Sequence, residues 1–239
     1  MPSIDVPDVA SPLLSWRRGE TPASFSPFTS PCGCASLSVT PHALRDSWST
    51  TFYTPLLKKD DLAALLASVP PSEEVTIDVS CSMQCGAQFD QVGIFVTCGE
   101  GTFIKAGLEL SDGTPRLSVV VTNSGFSDWS TQAWPRFSGG VAGVRLRLHK
   151  LHPPQGPCVL IEADTGGDDP LHTCPKSTRA SPEWAFVRIA PLHAPAGAPW
   201  GVGVFSAAPV AAGTVASFSH ASIGPRAPLS HSPDASAML

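Results

Sequence analysis

From residue 74 onward, apolar and polar positions alternate in short runs that turn residues cut apart, which is the pattern of half-buried strands. The runs fall at residues 75–82, 90–98, 102–110, 116–123, 141–150, 158–163, 184–191, 201–207 and 214–223. Gly99-Glu100-Gly101, Asp112-Gly113 and Gly139-Gly140 supply turns between them. Strands with hairpin-like links and almost no helix predict an all-β antiparallel sandwich or jelly roll rather than a βαβ sheet. Ahead of them, residues 36–39 alternate as a short strand, and Trp48, Phe52 and Tyr53 offer large apolar area for the edge of a core. Residues 60–69 (DDLAALLASV) are the one helix candidate, with acids at the start and Pro70-Pro71 at the end; a strand over the same letters is the alternative.

Side chains two apart along a strand share a face. In residues 103–110 this puts Lys105, Gly107 and Glu109 on one side, opposite Ile104, Ala106, Leu108 and Leu110. Residues 144–149 behave alike, with Arg145, Arg147 and His149 opposite Val144, Leu146 and Leu148. A solvated outer face is the default expectation for such polar rows on an antiparallel sheet.

Composition sets the frame. The chain has 239 residues, 42% hydrophobic and 15% charged, with 25 Pro and 20 Gly, enough for one large β-domain and too interrupted for long helices. The expected organisation is a Pro/Ser-rich extension over residues 1–35 that wraps the surface or is disordered, a sandwich over 36–224 and a disordered tail over 225–239. A formal net charge of −5, without a basic cluster, disfavours nucleic acid and anionic membranes as partners. Residues 190–225 lack Asp, Glu, Lys and Arg, yet their Ala, Gly, Ser and Pro content fails as a membrane span, and two short buried strands explain them better. Nothing at the N-terminus reads as a secretory signal, so the expected location is cytoplasmic. The seven Cys then read as free thiols or small buried hydrophobes; Cys32-Gly-Cys34 and the Cys81/Cys85 pair lack zinc-site spacing, and no metal or cofactor is expected.

Catalytic patterns are thin. A glycosidase needs two carboxylates aimed into one cleft, and the sole candidate is the two-apart pair Glu162 and Asp164, for which a solvated strand end is the simpler account. There is no G-x-S-x-G elbow and no phosphate-binding glycine loop, and a Cys98/His149 pair has no motif behind it.

Four runs carry a resemblance: FDQVGIFV at residues 89–96, IKAGLE at 104–109, LSVVVTN at 117–123 and SDWS at 127–130. In this order and spacing the chain resembles the regulation-of-enolase protein family, a group of domains of unknown function with a concanavalin A-like jelly-roll fold. The resemblance runs from about residue 36 to residue 223, with the aromatic start at Trp48 and the late runs WAFVRIA (184–190) and GVGVFSAAP (201–209). It implies two curved antiparallel sheets with a concave face of the kind that binds sugars. It also implies a cytoplasmic, non-catalytic protein linked to control of a metabolic enzyme such as enolase, with a carbohydrate-binding or weakly hydrolytic module as the alternative. The chain departs from the family in its N-terminal extension and in a Cys-containing insertion at 153–182.

On the matched motifs, Gln91, Lys105 and Glu109 form a candidate polar row for a small polar ligand, a carbohydrate or a protein partner, joined by Arg147 if its strand is adjacent. Asn123, Ser127, Asp128 and Trp129 are placed at the rim, with the indole as a stacking platform, and Asp90 is a further candidate binding residue. The competing structural reading makes Asp90, Asn123 and Asp128 turn caps and Trp129 core.

Overall fold

The computed structural model describes residues 3–30, 33, 35–166 and 182–231. In chain order its strands are β1 (Ile4–Asp5), β2 (Leu14–Trp16), β3 (Ser24–Thr29), β4 (Ala35–Thr40), β5 (Ser47–Ser49), β6 (Lys58–Asp60), β7 (Ala63–Val69), β8 (Val75–Gln84) and β9 (Gln91–Thr97). There follow β10 (Phe103–Ser111), β11 (Thr114–Asn123), β12 (Phe126–Ala133), β13 (Phe137–Ser138), β14 (Val141–Leu151), β15 (Cys158–Asp164), β16 (Trp184–Pro191), β17 (Trp200–Ala207) and β18 (Ala216–Pro225). One sheet has the order β16-β15-β14-β8-β18-β4-β3, with β1 on β18 and β13 on β14. The other runs β12-β11-β10-β9-β17-β7-β2, and β5 and β6 form a separate hairpin. All paired strands are antiparallel. The fold is an all-β, concanavalin A-like jelly-roll sandwich. The nine strands expected after residue 74 are present, each end within two residues of its expected place.

The sandwich core forms where the alternating apolar sets of both sheets meet: Ile77, Val79 and Leu146 from one, Ile94, Ile104 and Leu108 from the other, all essentially inaccessible. Each such side chain contributes about 1.5–3 kcal/mol by leaving water. A second cluster lies on the far side of the seven-stranded sheet, where Phe95, Phe103, Val120 and Phe205 meet Trp48 and Leu62. The face opposite the core is therefore roofed by the chain between β4 and β7, not solvated. Lys105 and Glu109 are only 3% and 4% exposed.

That second cluster explains why the helix candidate at 60–69 is instead strand β7. Leu65, Ala67 and Val69 point into the sandwich core, whereas Leu62, Ala64 and Leu66 point into the roofed cluster. A strand buried on both faces reads as an unbroken apolar run and loses its alternation.

The N-terminal extension also differs from expectation. Ile4, Val6 and Leu14 are core residues, and β1, β2 and β3 add to the two sheets, so residues 3–30 belong to the sandwich. At the other end, Ala227 N donates to Thr76 Oγ1 at 2.8 Å and Ser230 N to Glu162 Oε1 at 2.7 Å, tying residues 226–231 to the nine-stranded sheet. Residues 232–239 of the expected tail and 167–181 of the insertion lie outside the described residues.

Candidate functional site

The roof is pinned from several directions. Arg17 and Arg18 both hold the Asp60 carboxylate, at 2.5 and 2.6 Å. Ser49 N donates to Ser127 Oγ of β12 at 2.9 Å. Lys105 Nζ, rising from β10, lies 2.5 Å from Asp46 Oδ1, which also accepts the Ser47 N–H at 2.7 Å. Thr50, Phe52 and Phe89 have φ of 63°, 71° and 67°, a left-handed backbone uncommon outside glycine and often concentrated at functional sites.

Between roof and sheet lies a cavity of about 240 Å³. Its floor is set by strand register. Glu109 faces Gln91 directly across the β9–β10 ladder; Lys105 faces Val120, which in turn faces Trp129. Its walls are Trp48, Tyr53, Phe89 and Trp129. Glu109 Oε2 accepts hydrogen bonds from Ser118 Oγ at 2.5 Å and Trp129 Nε1 at 3.0 Å. Burial pushes the Glu109 carboxyl above its ordinary value; Lys105 and the two hydrogen bonds oppose this, while Asp46 adds to it. Tyr53 is pushed up as well, first by burial and then by Glu109.

The structure thus brings together Gln91, Lys105, Glu109 and Trp129. Arg147 does not join them: β14 belongs to the other sheet, where Arg147 pairs with Glu162 and lies 4.3 Å from the Trp184 ring centroid. Asp90 closes a turn, its Oδ2 accepting from Gly86 N, Ala87 N and Thr214 Oγ1 at 3.0, 2.7 and 2.7 Å. Asn123 clips β11 to the end of β16 through Pro191 O and His193 N. Asp128 pairs with Arg188 at 2.5 Å and is largely exposed. Of these three only Asp90 caps a turn; Asn123 and Asp128 instead brace β16 and the residues after it through contacts about 60–70 residues away in the chain. Trp129 is a partly buried wall residue of strand β12, a segment not among the strands expected from the sequence.

Sequence reasoning missed Asp46 as Lys105's partner, and it took Trp48 and Tyr53 for core edge. The available signal was the aromatic density of residues 48–53 in an irregular stretch beside Pro55.

The other candidates are spent on structure. Glu162 is fully buried and held by Arg147, His149 and Ser230. Burial alone would raise its carboxyl, but these hydrogen bonds outweigh it and hold it at about 2. Asp164 Oδ1 accepts from Gly166 N and Glu183 N, both at 3.0 Å. Cys98 is a core thiol that burial pushes up to about 12. Among the described residues no group of three or more His, Cys, Asp and Glu gathers to hold a metal, and no helix is long and apolar enough to cross a membrane.

The β-sandwich with a roofed, ring-walled pocket on its seven-stranded sheet has matches among known proteins. The family described as "Protein of unknown function (DUF1349)" matches residues 28–226, and the chain belongs to that family. Over 89 residues the chain is 37% identical to "Regulation of enolase protein 1" of Saccharomyces cerevisiae; the match takes in 37% of this chain and 42% of that protein, less than half of it. A solved structure of a functionally unknown protein from the same yeast superposes with a TM-score of 0.65 at 25% identity, covering 90% of this chain and 98% of that one. A bifunctional GH43-CE protein of Bacteroides eggerthii shares the fold at a TM-score of 0.61 and 12% identity, over 91% of this chain and 24% of that one. A xylan beta-1,4-xylosidase of Bacillus halodurans C-125 does so at 0.55 and 12%, over 81% and 34%.

Proposed function

We propose that this chain is a cytoplasmic, non-catalytic binding protein that takes a small polar ligand in the pocket between the 44–62 roof and strands β9 to β12. In line with the name of its yeast relative, we further propose that it acts on a metabolic enzyme such as enolase. The observation that carries the ligand reading is Glu109, a carboxylate 4% exposed that sits on the floor of an open cavity, not inside a filled core. An ionisable group buried beside empty space, with its pKa displaced, is a physical criterion for a functional-site candidate. The non-catalytic reading is supported by the lack, among the described residues, of a second uncommitted acid beside Glu109: Asp46, the other carboxylate lining the pocket, is bound to Lys105, and Glu162 lies on the opposite sheet, held too acidic to deliver a proton near neutral pH.

A second reading, carbohydrate binding, is favoured by one observation, the Trp129 indole beside Glu109. Both readings meet in one experiment. Thermal shift and tryptophan fluorescence are recorded with a panel of small metabolites and with xylose and arabinose, on wild type and Glu109→Gln, beside capture of purified enolase. Saturable binding that Glu109→Gln weakens supports the pocket as the site, and a response to the sugars alone makes it a carbohydrate site. No binding by any panel member to the folded protein, together with no enolase capture, overturns the proposal.

A further inference from the structure

The four rings of the pocket wall form a closed circuit. Trp48 and Tyr53 have centroids 5.4 Å apart at 70°, and Tyr53 and Phe89 6.4 Å apart at 76°. Phe89 and Trp129 are 6.1 Å apart at 77°, and Trp129 returns to Trp48 at 6.4 Å and 89°. Each ring stands roughly perpendicular to its two neighbours, so the four make the sides of a box rather than a stack or a flat platform. The carboxylate of Glu109 hydrogen-bonds one of those sides from below. We infer that this box is a binding site for a methylated ammonium head group, with the ring faces around the cation and Glu109 as its counter-charge. The inference rests on the reading of the pocket as a ligand site and names the chemistry of that ligand.

Three features favour a cation over a sugar or an anion. Ring faces carry negative electrostatic potential, and a box of them surrounds a compact cation more completely than one plane does. The indole donors are already spent, Trp48 Nε1 on Thr51 O at 3.1 Å and Trp129 Nε1 on Glu109, so these rings offer π faces and not N–H groups. The third feature is charge. Both protein hydrogen bonds to Glu109 converge on Oε2, leaving Oε1 without one among the described residues, and Glu109 has no ion-pair partner within 4.0 Å there. Lys105, the nearest buried ammonium, is committed to Asp46. Lys59, at the rim, points its ammonium at Leu44 O, 2.6 Å away. Of the two carboxylates that line the cavity, Asp46 is therefore taken by Lys105 and Glu109 is left open to a bound cation. The cavity under the roof, about 240 Å³, lies below the ~300–1,000 Å³ of drug-sized sites and suits a head group, while Trp48, Tyr53 and Trp129 also line a neighbouring cavity of about 500 Å³ with room for the rest of a larger ligand.

The test is titration calorimetry with tetramethylammonium, choline and Nε-trimethyl-lysine, set against 3,3-dimethylbutan-1-ol, the uncharged isostere of choline, and against xylose. The proteins are wild type, Glu109→Gln and Tyr53→Leu, each checked for cooperative unfolding. The second variant removes one wall without touching the floor. Binding by the cations, at least about tenfold weaker for the isostere and weakened about tenfold by each variant, is the expected result. A tighter response to choline identifies a free ligand, and one to trimethyl-lysine a protein-borne head group. Equal binding of isostere and choline, or no cation binding, overturns the inference. Mutant-sensitive xylose binding without cation binding overturns it while leaving the ligand-site proposal standing, whereas silence from every ligand here and in the wider panel defeats both.

Discussion

Trp129 and Glu109 meet through an indole N–H donated to Oε2 at 3.0 Å, and this one bond ties the pocket's wall on β12 to its floor on β10. The two residues lie on strands separated by β11; only the length of both side chains lets them touch. Trp129→Phe keeps a ring in the wall and deletes the donor. A hydrogen bond to an ionised acceptor is worth about 1.5–3 kcal/mol when fully buried, and Ser118 remains as a second donor. The expected loss is therefore about 1 kcal/mol in urea unfolding, with an unchanged m-value.

Glu109 itself is expected to cost stability. Its folded pKa is raised above 4.5, chiefly by burial, so the native state holds its proton more tightly than the unfolded chain does. Stability then falls as pH rises from 4.5 toward the folded value. Glu109→Gln removes that liability and keeps an acceptor for Trp129 and Ser118. It should raise Tm near neutral pH and leave it nearly unchanged in acid; a lower Tm at neutral pH would show that the carboxylate stabilises the fold. A site residue whose removal stabilises the protein is the usual mark of function held against stability.

The Lys105–Asp46 pair joins the sheet to its roof with side chains 3% and 11% exposed. Lys105→Met leaves a largely buried carboxylate without its cation and should cost about 3–5 kcal/mol. Lys105→Met with Asp46→Asn removes both charges. The double variant should be more stable than the sum of the singles by at least about 1 kcal/mol in chemical denaturation, and strict additivity would show that the two do not interact.

Acid should act first on the opposite sheet. Glu162 is held at about 2, against 4.5 ordinarily, by Arg147, Ser230 and His149. A depressed folded pKa contributes stability that is present above 4.5 and lost as pH falls toward about 2. His149, lowered chiefly by its burial, has the same sign over the range below 6.5, because the unfolded chain takes up the proton first. Glu162→Gln should therefore be less stable than wild type at neutral pH, and the difference should shrink as the pH of the denaturation series falls below 4.5.

Gly107 sits between Lys105 and Glu109 where β10 passes β9, paired with Gly93. A Cβ there would lie 1.9 Å from Val92 O and 2.8 Å from Gly93 Cα, contacts that only a shift of the strands relieves. Gly107→Ala should cost on the order of 3 kcal/mol and disturb the pocket floor. An alanine variant with wild-type Tm would mean that the two strands can part without penalty.

The strands from β8 to β18, apart from β12 and β13, were legible because alternation and turn residues are local properties. The same parity rule placed Lys105 and Glu109 on one face, and strand order in the motif run put Gln91 beside them. Parity also made Arg147 look like a fourth member, since it says which residues of one strand share a face and nothing about which sheet that strand enters. β7 was ambiguous for a related reason: two clusters bury both of its faces and erase the alternation that separates strand from helix.

The sequence by itself determined an all-β sandwich, its family, and the shared face of Lys105 and Glu109, because each depends on residue spacing within or between neighbouring strands. The tertiary structure decided that this face is roofed, that Asp46 meets Lys105 across 59 residues of chain, and that Trp48, Tyr53, Phe89 and Trp129 close into a box. Those contacts join segments whose separation no periodicity encodes, and they exist only where the packing of the roof onto the sheet brings the segments together.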